Sequence, residues 1–582
     1  MKHKICVHGH FYQPPRENPW LEAIEVQDSA YPFHDWNERI AAECYRPNSA
    51  SRVLDDEGLV VEIVNNYSRM SFNFGPTLLS WLETEATPTY EALLEADRVG
   101  QERFSGHGPA LAQAYNHIIM PLASRAEKQT QVIWGIRDFI HRFQRRPEGM
   151  WLPETAVDLE TLEILVQQGI KFTVLAPRQA HRFRKIGNQQ WTDVSDGGID
   201  PKRPYIQNLP SGKSIAIFFY DGIISQAVAF EGLLNSGETF ADRLLTGFGE
   251  DSGDEDELVN IATDGESYGH HHRKGDMALA YAMNHLESKG LASITVYGEY
   301  LENHPPQFEV DIYENSSWSC VHGVERWRSD CGCNSGGNPR WSQQWRGPLR
   351  EALDWLRDET AKRFNEEAAK SLRDPAGAVD NYIEVVLDRS PEQLKHFLTD
   401  HASGALDEGD KIRLLKLLET QRNSMLMHTS CGWFFDELSG IETVQVIQYA
   451  GRVVQLSNEL FTDGIEEQFL TRLEKAKSNV PEHRDGRNIY EKWVRPAAVG
   501  LFDVGAHFAI SSLFEESGAR PSRMAYDVSL ERYSTEEVGR TKLSVGRAKV
   551  ASRVTREVMD LTFGALHMGD QNIAAGVREW VS

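Results

Sequence analysis

Leu258-Val259-Asn260-Ile261-Ala262-Thr263-Asp264-Gly265-Glu266-Ser267-Tyr268-Gly269-His270-His271-His272 is the stretch that decides how this chain is read. An apolar run, from Leu258 to Ala262, drops into two carboxylates and three consecutive histidines. A short apolar run before such a cluster reads as a buried strand ending at a polar rim, with Gly265 and Gly269 loosening the backbone between the polar groups. In parallel α/β architectures the C-terminal ends of strands collect binding and catalytic groups. A helical pattern follows at once, with Met277, Ala278, Tyr281, Ala282 and Leu286 on one face.

The same alternation extends outward. Ile5-Cys6-Val7 predicts a short buried strand that delivers His8 and His10 to its end, and Pro14-Pro15 then forces a loop. Strands are expected at 71–74, 172–176, 215–220 and 294–297, with Asp221 at the tip of 215–220. Helices are expected at 77–83, 89–99, 122–143 and 159–168. Strand, helix and Gly-rich turn alternate to about residue 300, which implies a parallel sheet or barrel. From 304 to 348 the chain reads as irregular, and beyond it as long helices to the end. Two domains follow, 1–345 and 346–582.

Composition narrows the function. With 582 residues, 40% hydrophobic and 25% charged, the chain resembles a soluble globular protein of more than one domain. Its net charge of −25, from 61 basic and 86 acidic residues, argues against a nucleic-acid partner and favours a neutral or cationic substrate. Part of the excess lies in the run from Glu250 to Glu257, read as a solvated loop rather than a calcium site. No window reaches the roughly 18 apolar residues of a membrane span. His8, Gly9 and His10 break any signal-peptide core, and six cysteines fit a reducing compartment, so the expected location is the cytoplasm.

A second carboxylate stands in Glu148-Gly149-Met150-Trp151-Leu152-Pro153-Glu154. Proline stiffens the approach and Glu154 is expected near a helix N-terminus, where negative charge is favoured. Taken singly, Glu154 reads more readily as a helix cap beside a core tryptophan and Asp264 as a hydrogen-bonded turn residue. Together they have the form acetal hydrolysis requires. One carboxyl protonates the leaving oxygen, the other attacks or activates water, and aromatics such as Trp151 stack on sugar faces.

His8-Gly-His10-Phe-Tyr-Gln13-Pro14, Gly106-His107-Gly108, Trp151-Leu-Pro-Glu154 and Asp264-Gly-Glu266 occur in the order of the motifs of glycoside hydrolase family 57, which this chain resembles over residues 5–330. That family holds α-amylases, 4-α-glucanotransferases, amylopullulanases and branching enzymes. Residues 346–582, with Thr429-Ser430-Cys431-Gly432-Trp433-Phe434, resemble a helical domain of unknown function found in one branch of it. The resemblance implies a pseudo-TIM (β/α)₇ barrel with a mostly α-helical C-terminal domain packed over its mouth, acting on α-glucans with retention. It implies Glu154 as nucleophile, Asp264 as general acid/base and His10 in the sugar subsite. It differs in its first motif, where Phe11 and Tyr12 separate His10 from Gln13.

Other substrate-binding candidates are His8, Gln13, His107, Trp151, Asp221, Glu266, His270 and Trp433. The partner is an α-glucan or another oligosaccharide, with no nucleic acid, no membrane, no cofactor and no catalytic metal. A metal-dependent carbohydrate hydrolase is one alternative, since His8, His10, Asp264 and the histidine run are ligand types for zinc. A non-catalytic glycan-binding relative is another. Cys320, His322, Cys331, Cys333 and Cys431 form a separate group that reads either as ordinary thiols or as a structural zinc site.

Overall fold

The computed structural model describes residues 3–55, 57–249, 256–461, 464–514 and 525–581. Residues 250–255, most of the acidic run, lie outside them. The chain divides into two compact units that interleave in sequence rather than meeting at one boundary near residue 345. One holds Met1–Pro15, Val26–Cys333 and Thr429–Phe434; the other holds Arg16–Glu25, Asn334–His428 and Phe435–Ser582. Local pairing explains both excursions. Thr429 forms an antiparallel bridge with Ile118 of the first unit, and in the second unit Glu22 pairs with Arg389 and Arg422.

Seven strands of the first unit form its parallel ring: β1 (His3–Phe11), β2 (Ser71–Phe74), β3 (Ala112–Gln113), β4 (Met150–Trp151), β5 (Phe172–Leu175), β6 (Ser214–Phe219) and β7 (Glu257–Asp264). Parallel pairing runs from β7 to β1 to β2, from β3 to β4 and from β5 to β6. Parallel bridges Phe72–Ala110 and Gly149–Phe172 join β2 to β3 and β4 to β5. The Asp221 N–H donates to Asn260 O at 2.7 Å and links the end of β6 to β7. This is the pseudo-TIM (β/α)₇ ring, with helices between its strands: α1 (Pro76–Glu85), α2 (Thr87–Arg103), α3 (Arg125–Phe143), α4 (Leu159–Gln167), α5 (Gly222–Phe230) and α6 (Gly275–Ser288).

Period-two alternation sorts each strand into two faces. Cys6, Phe172, Val174, Ala216, Phe218, Leu258, Ala262 and Trp151 share one apolar cluster inside the ring. Their sequence neighbours Ile5, Val7, Leu175, Ile215, Ile217, Val259 and Ile261 belong to a larger cluster with the helices. Helix α3 begins three residues later than its hydrophobic pattern suggests, because Ser124 and Glu127 form a reciprocal capping box.

Two regions depart from expectation. Strands β5 and β6 extend into a six-stranded sheet with Thr192–Asp193, Ala180–Lys185, Phe308–Ile312 and Tyr205–Asn208. Ala180–Lys185 carries alternating basic residues with little apolar signal, and ion pairs Arg182–Asp311 and Arg184–Glu309 support its pairing. The second unit is mainly helical, with α7 (Arg346–Ala368), α8 (Glu408–Leu426), α9 (Ile441–Leu460) and α10 (Leu501–Ser511). The chain does not stay helical to its end. β8 (Tyr526–Val538), β9 (Thr541–Ser552), β10 (Val558–His567) and β11 (Ile573–Glu579) form an antiparallel sheet. Alternate residues Phe563 and Ala565 pack with Phe508 and Ala509 of α10, a period-two signal that the polar composition of these strands obscures. Among the described residues no helix is long and apolar enough to cross a membrane.

Close approach of α3 to β3 supplies a stability test. A Cβ on Gly135 would stand 2.0 Å from the carbonyl oxygen of Gln113, a backbone atom with no freedom to yield. Gly135→Ala is expected to destabilise the protein by about 1–3 kcal/mol in chemical denaturation, as overpacking does. Gly576→Ala on β11, where nothing lies within 4 Å, is expected to be nearly neutral.

Candidate active site

The inward row of β1 carries His8 and His10, and the inward row of β7 ends at Asp264. Register places His10 opposite Asp264 on one side and opposite Asn73 on the other. Asn73 organises the floor. Its carbonyl oxygen lies 3.1 Å from His8 Nε2, and its amide donates to His10 Nδ1 at 2.9 Å and to Gln113 Oε1 at 2.8 Å. Ser71 Oγ lies 2.9 Å from His8 Nδ1. On the far side, His10 Nε2 lies 3.1 Å from His117 Nε2, and His117 Nδ1 lies 2.6 Å from Ser430 Oγ. Burial pushes His8 and His10 down to about 3 and His117 well below its usual range, so this chain of imidazoles is neutral near pH 7.

Aromatic rings wall the same space. Trp151 stacks on His8 and His10 with centroids 4.8 and 5.0 Å apart, and Trp318 meets Trp151 edge-on at 5.1 Å. Tyr12 stacks on His117 at 3.7 Å, and Tyr220 approaches Trp318 edge-on. Trp151 and His8 are fully buried behind the others; the rings that keep exposed surface, Tyr12 and Trp318, are neutral and flat-faced, which suits the apolar faces of a pyranose ring better than an ion.

Glu154 does not cap a helix. It lies in the single turn Pro153–Thr155, at φ 57° and ψ 20°, and Thr155 also has positive φ. Asp158 caps α4 instead, accepting from Thr161 N at 2.8 Å. Two successive non-glycine residues in the left-handed region cost free energy and persist only where their surroundings hold them. Here Thr155 Oγ1 donates to Gln179 Oε1 and Gln179 Nε2 donates back to Thr155 O, both at 2.8 Å. Trp318 N donates to Glu154 O at 3.0 Å. Trp318 Nε1 at 3.0 Å and the Ser319 hydroxyl both donate to Oε2 of Glu154. Burial raises this carboxyl, while the two donors and nearby Arg326 act against the rise.

Asp264 is open to solvent at its tip yet enclosed by protein atoms on its other sides. That enclosure, followed by the charges of Glu266 and Glu154, lifts its carboxyl to about 8. Glu266 is 5% exposed and rises to about 7, chiefly through burial. It accepts from Tyr45 Oη at 2.5 Å and from Tyr12 N at 3.1 Å, and Gln13 also hydrogen-bonds to it. The pair therefore divides: Glu266 is engaged by the protein, and Asp264 faces the open space.

Several expected site residues lie elsewhere. His107 precedes β3 at the opposite end of the ring, between Glu148 and Glu302 at 2.8 Å each, so it is not a pocket residue. Asp221 caps α5, accepting from Ile224 N at 2.9 Å. His270 is held by Glu43 and His272 Nε2 lies 3.1 Å from Ala229 O, which disperses the histidine run. Trp433 is fully buried in the turn Cys431–Phe434 and presents no face to a ligand. Conversely, Asn73, His117 and Ser319 line the site and carry no motif, and Ser430 lies in the Thr429–Phe434 stretch with no role read from it. Only the alternation of polar Ser71 and Asn73 with Phe72 and Phe74 along β2 could have pointed to Asn73.

Comparison with known proteins agrees with this architecture. A family model described as glycosyl hydrolase family 57 matches residues 38–313, and one described as a domain of unknown function (DUF3536) matches 341–582. No curated protein matches the chain. Among solved structures, an exo-type maltose-forming amylase from Pyrococcus sp. ST04 is 17% identical, with a TM-score of 0.58 over 82% of this chain and 83% of that one. A branching enzyme from Pyrococcus horikoshii is 15% identical (TM-score 0.49, 81% and 95% covered), and a 4-alpha-glucanotransferase from Thermococcus litoralis is 11% identical (TM-score 0.47, 98% and 84% covered). Over residues 38–313, then, this chain matches the model of glycosyl hydrolase family 57.

Proposed function

We propose that the chain cleaves or transfers α-glucans with retention of anomeric configuration, with Glu154 as nucleophile and Asp264 as general acid/base. The observation that carries this reading is the contrast between the two carboxyls. Glu154 is immobilised by donors from Trp318 and Ser319, and donors to a carboxylate favour its ionised form. Among the described residues Asp264 has no such donors, and it has two acidic neighbours, so it holds a proton near neutral pH.

In the proposed reaction Asp264 donates its proton to the glycosidic oxygen as Glu154 attacks the anomeric carbon and the leaving sugar departs. A glycosyl ester forms on Glu154. Asp264, now ionised, takes a proton from the incoming hydroxyl, which displaces Glu154 and restores both carboxyls. Water as acceptor makes the enzyme a hydrolase, and a sugar hydroxyl makes it a transferase. The neutral aromatic wall supports an uncharged sugar substrate. A catalytic metal is less well supported by the side-chain geometry, because His8 and His10 are committed to Ser71, Asn73 and His117.

The first test is maltoheptaose digestion. Glu154→Gln is expected to yield no product, and Asp264→Asn to lower kcat/KM by about 10²–10⁴-fold. A 5-fluoroglucosyl fluoride should trap a covalent sugar on the Glu154 peptide in mass spectra, whereas an unlabelled peptide with intact turnover would reject Glu154 as nucleophile.

pH dependence supplies the second. Because Asp264 must be protonated to act as acid, activity is expected to fall as pH rises through about 8. Glu266→Gln removes one of the charges that holds that value up, so the basic limb should move to lower pH. The sign for stability is the reverse of the usual paired carboxylate. A carboxyl whose folded value lies above its unfolded one loses stability as pH rises from about 4 toward 8, so Asp264→Asn should melt higher than wild type at pH 8.

A further inference from the structure

Away from the carboxylates, the segment that follows Trp318 and Ser319 turns back on itself and brings four side chains to one point. Cys320, His322, Cys331 and Cys333 each offer one ligand atom, and all four atoms lie within 4.8 Å of one another. Cys431, grouped with them by composition, is not among them. Cys320 Sγ lies 3.9 Å from Cys331 Sγ and 3.8 Å from Cys333 Sγ, and Cys333 Sγ lies 3.6 Å from His322 Nδ1.

These separations have a simple meaning. An ion bound tetrahedrally, with metal–sulfur bonds of about 2.3 Å and a metal–nitrogen bond of about 2.0–2.1 Å, sets its sulfurs about 3.8 Å apart and sulfur and nitrogen about 3.6 Å apart. A disulfide would need about 2.05 Å between two sulfurs and would leave the third idle. Gly332, at φ 82°, provides the left-handed step that lets Cys331 and Cys333, only two residues apart, aim at the same point.

We propose that Cys320, His322, Cys331 and Cys333 bind one zinc ion as a structural Cys₃His site. Three thiolates and an imidazole form a soft donor set that selects zinc over magnesium or calcium, and four protein ligands leave no open position for substrate. The ion joins the two ends of segment 320–333. Cys320 directly follows Ser319, and Arg326 within the segment donates to Ser319 O at 3.0 Å. Zinc therefore acts as a staple behind the two residues that hold Glu154.

The test needs no substrate, so its result stands apart from the proposed reaction. Metal analysis of the full chain is expected to find about one zinc per chain, and cobalt exchanged into it should give tetrahedral d–d and thiolate-to-cobalt bands. Cys331→Ser with Cys333→Ser should abolish those bands, and Cys431→Ser should keep them. Stripping the ion with a strong chelator should lower the melting temperature and open residues 320–333 to protease. A folded wild-type chain with no zinc and no cobalt bands overturns the proposal, as does a disulfide among the three cysteines. If the double variant fails to fold, the wild-type metal and cobalt measurements decide alone.

Discussion

The pairing of β1 with β7 is the constraint on which the rest of the first unit depends. It runs unbroken from His3 opposite Glu257 to His10 opposite Asp264. Side chains alternate strictly along a strand, so a slip of one residue would turn Cys6, His8 and His10 toward the helices and Ile5 and Val7 into the ring. The apolar residues on each face make such a slip costly, and the chemistry inherits the register that burial imposes.

A second constraint acts at Glu154, where packing and chemistry oppose each other. Left-handed geometry at Glu154 and Thr155 costs on the order of 1–3 kcal/mol per residue. Hydrogen bonds of about 1 kcal/mol each, from Gln179, Trp318 and Ser319, are the interactions available to offset it. The same bonds fix the carboxylate in one orientation. A glutamate free to rotate would relax the backbone and lose its aim, so strain and positioning are two aspects of one arrangement.

Electrostatics then distinguishes two like groups, and among the described residues no cationic side chain is hydrogen-bonded to either. Glu154 has donors and Asp264 has acidic neighbours, and Glu266 raises Asp264 while being held in place by Tyr12, Tyr45 and Gln13. Neutral histidines on the floor preserve that balance. A protonated His10 directly across from Asp264 would pull the aspartic acid back toward its ordinary value, and burial of the ring prevents it.

The amino-acid sequence by itself determined the strand–helix alternation, the two carboxylates at strand ends and the family resemblance. These follow from local periodicity and from residues adjacent in the chain, and both survive in one dimension. It did not reveal Asn73, His117 and Ser319, or a role for Ser430, because each matters only through a partner tens to hundreds of residues away. Polar strands such as Ala180–Lys185 and β8 were invisible for a related reason: cross-strand ion pairs and a distant helix stabilise them, not their own hydrophobic pattern. His107 shows the converse. Its motif is legible, but which end of the ring it occupies depends on strand direction and closure, and tertiary structure alone decided that.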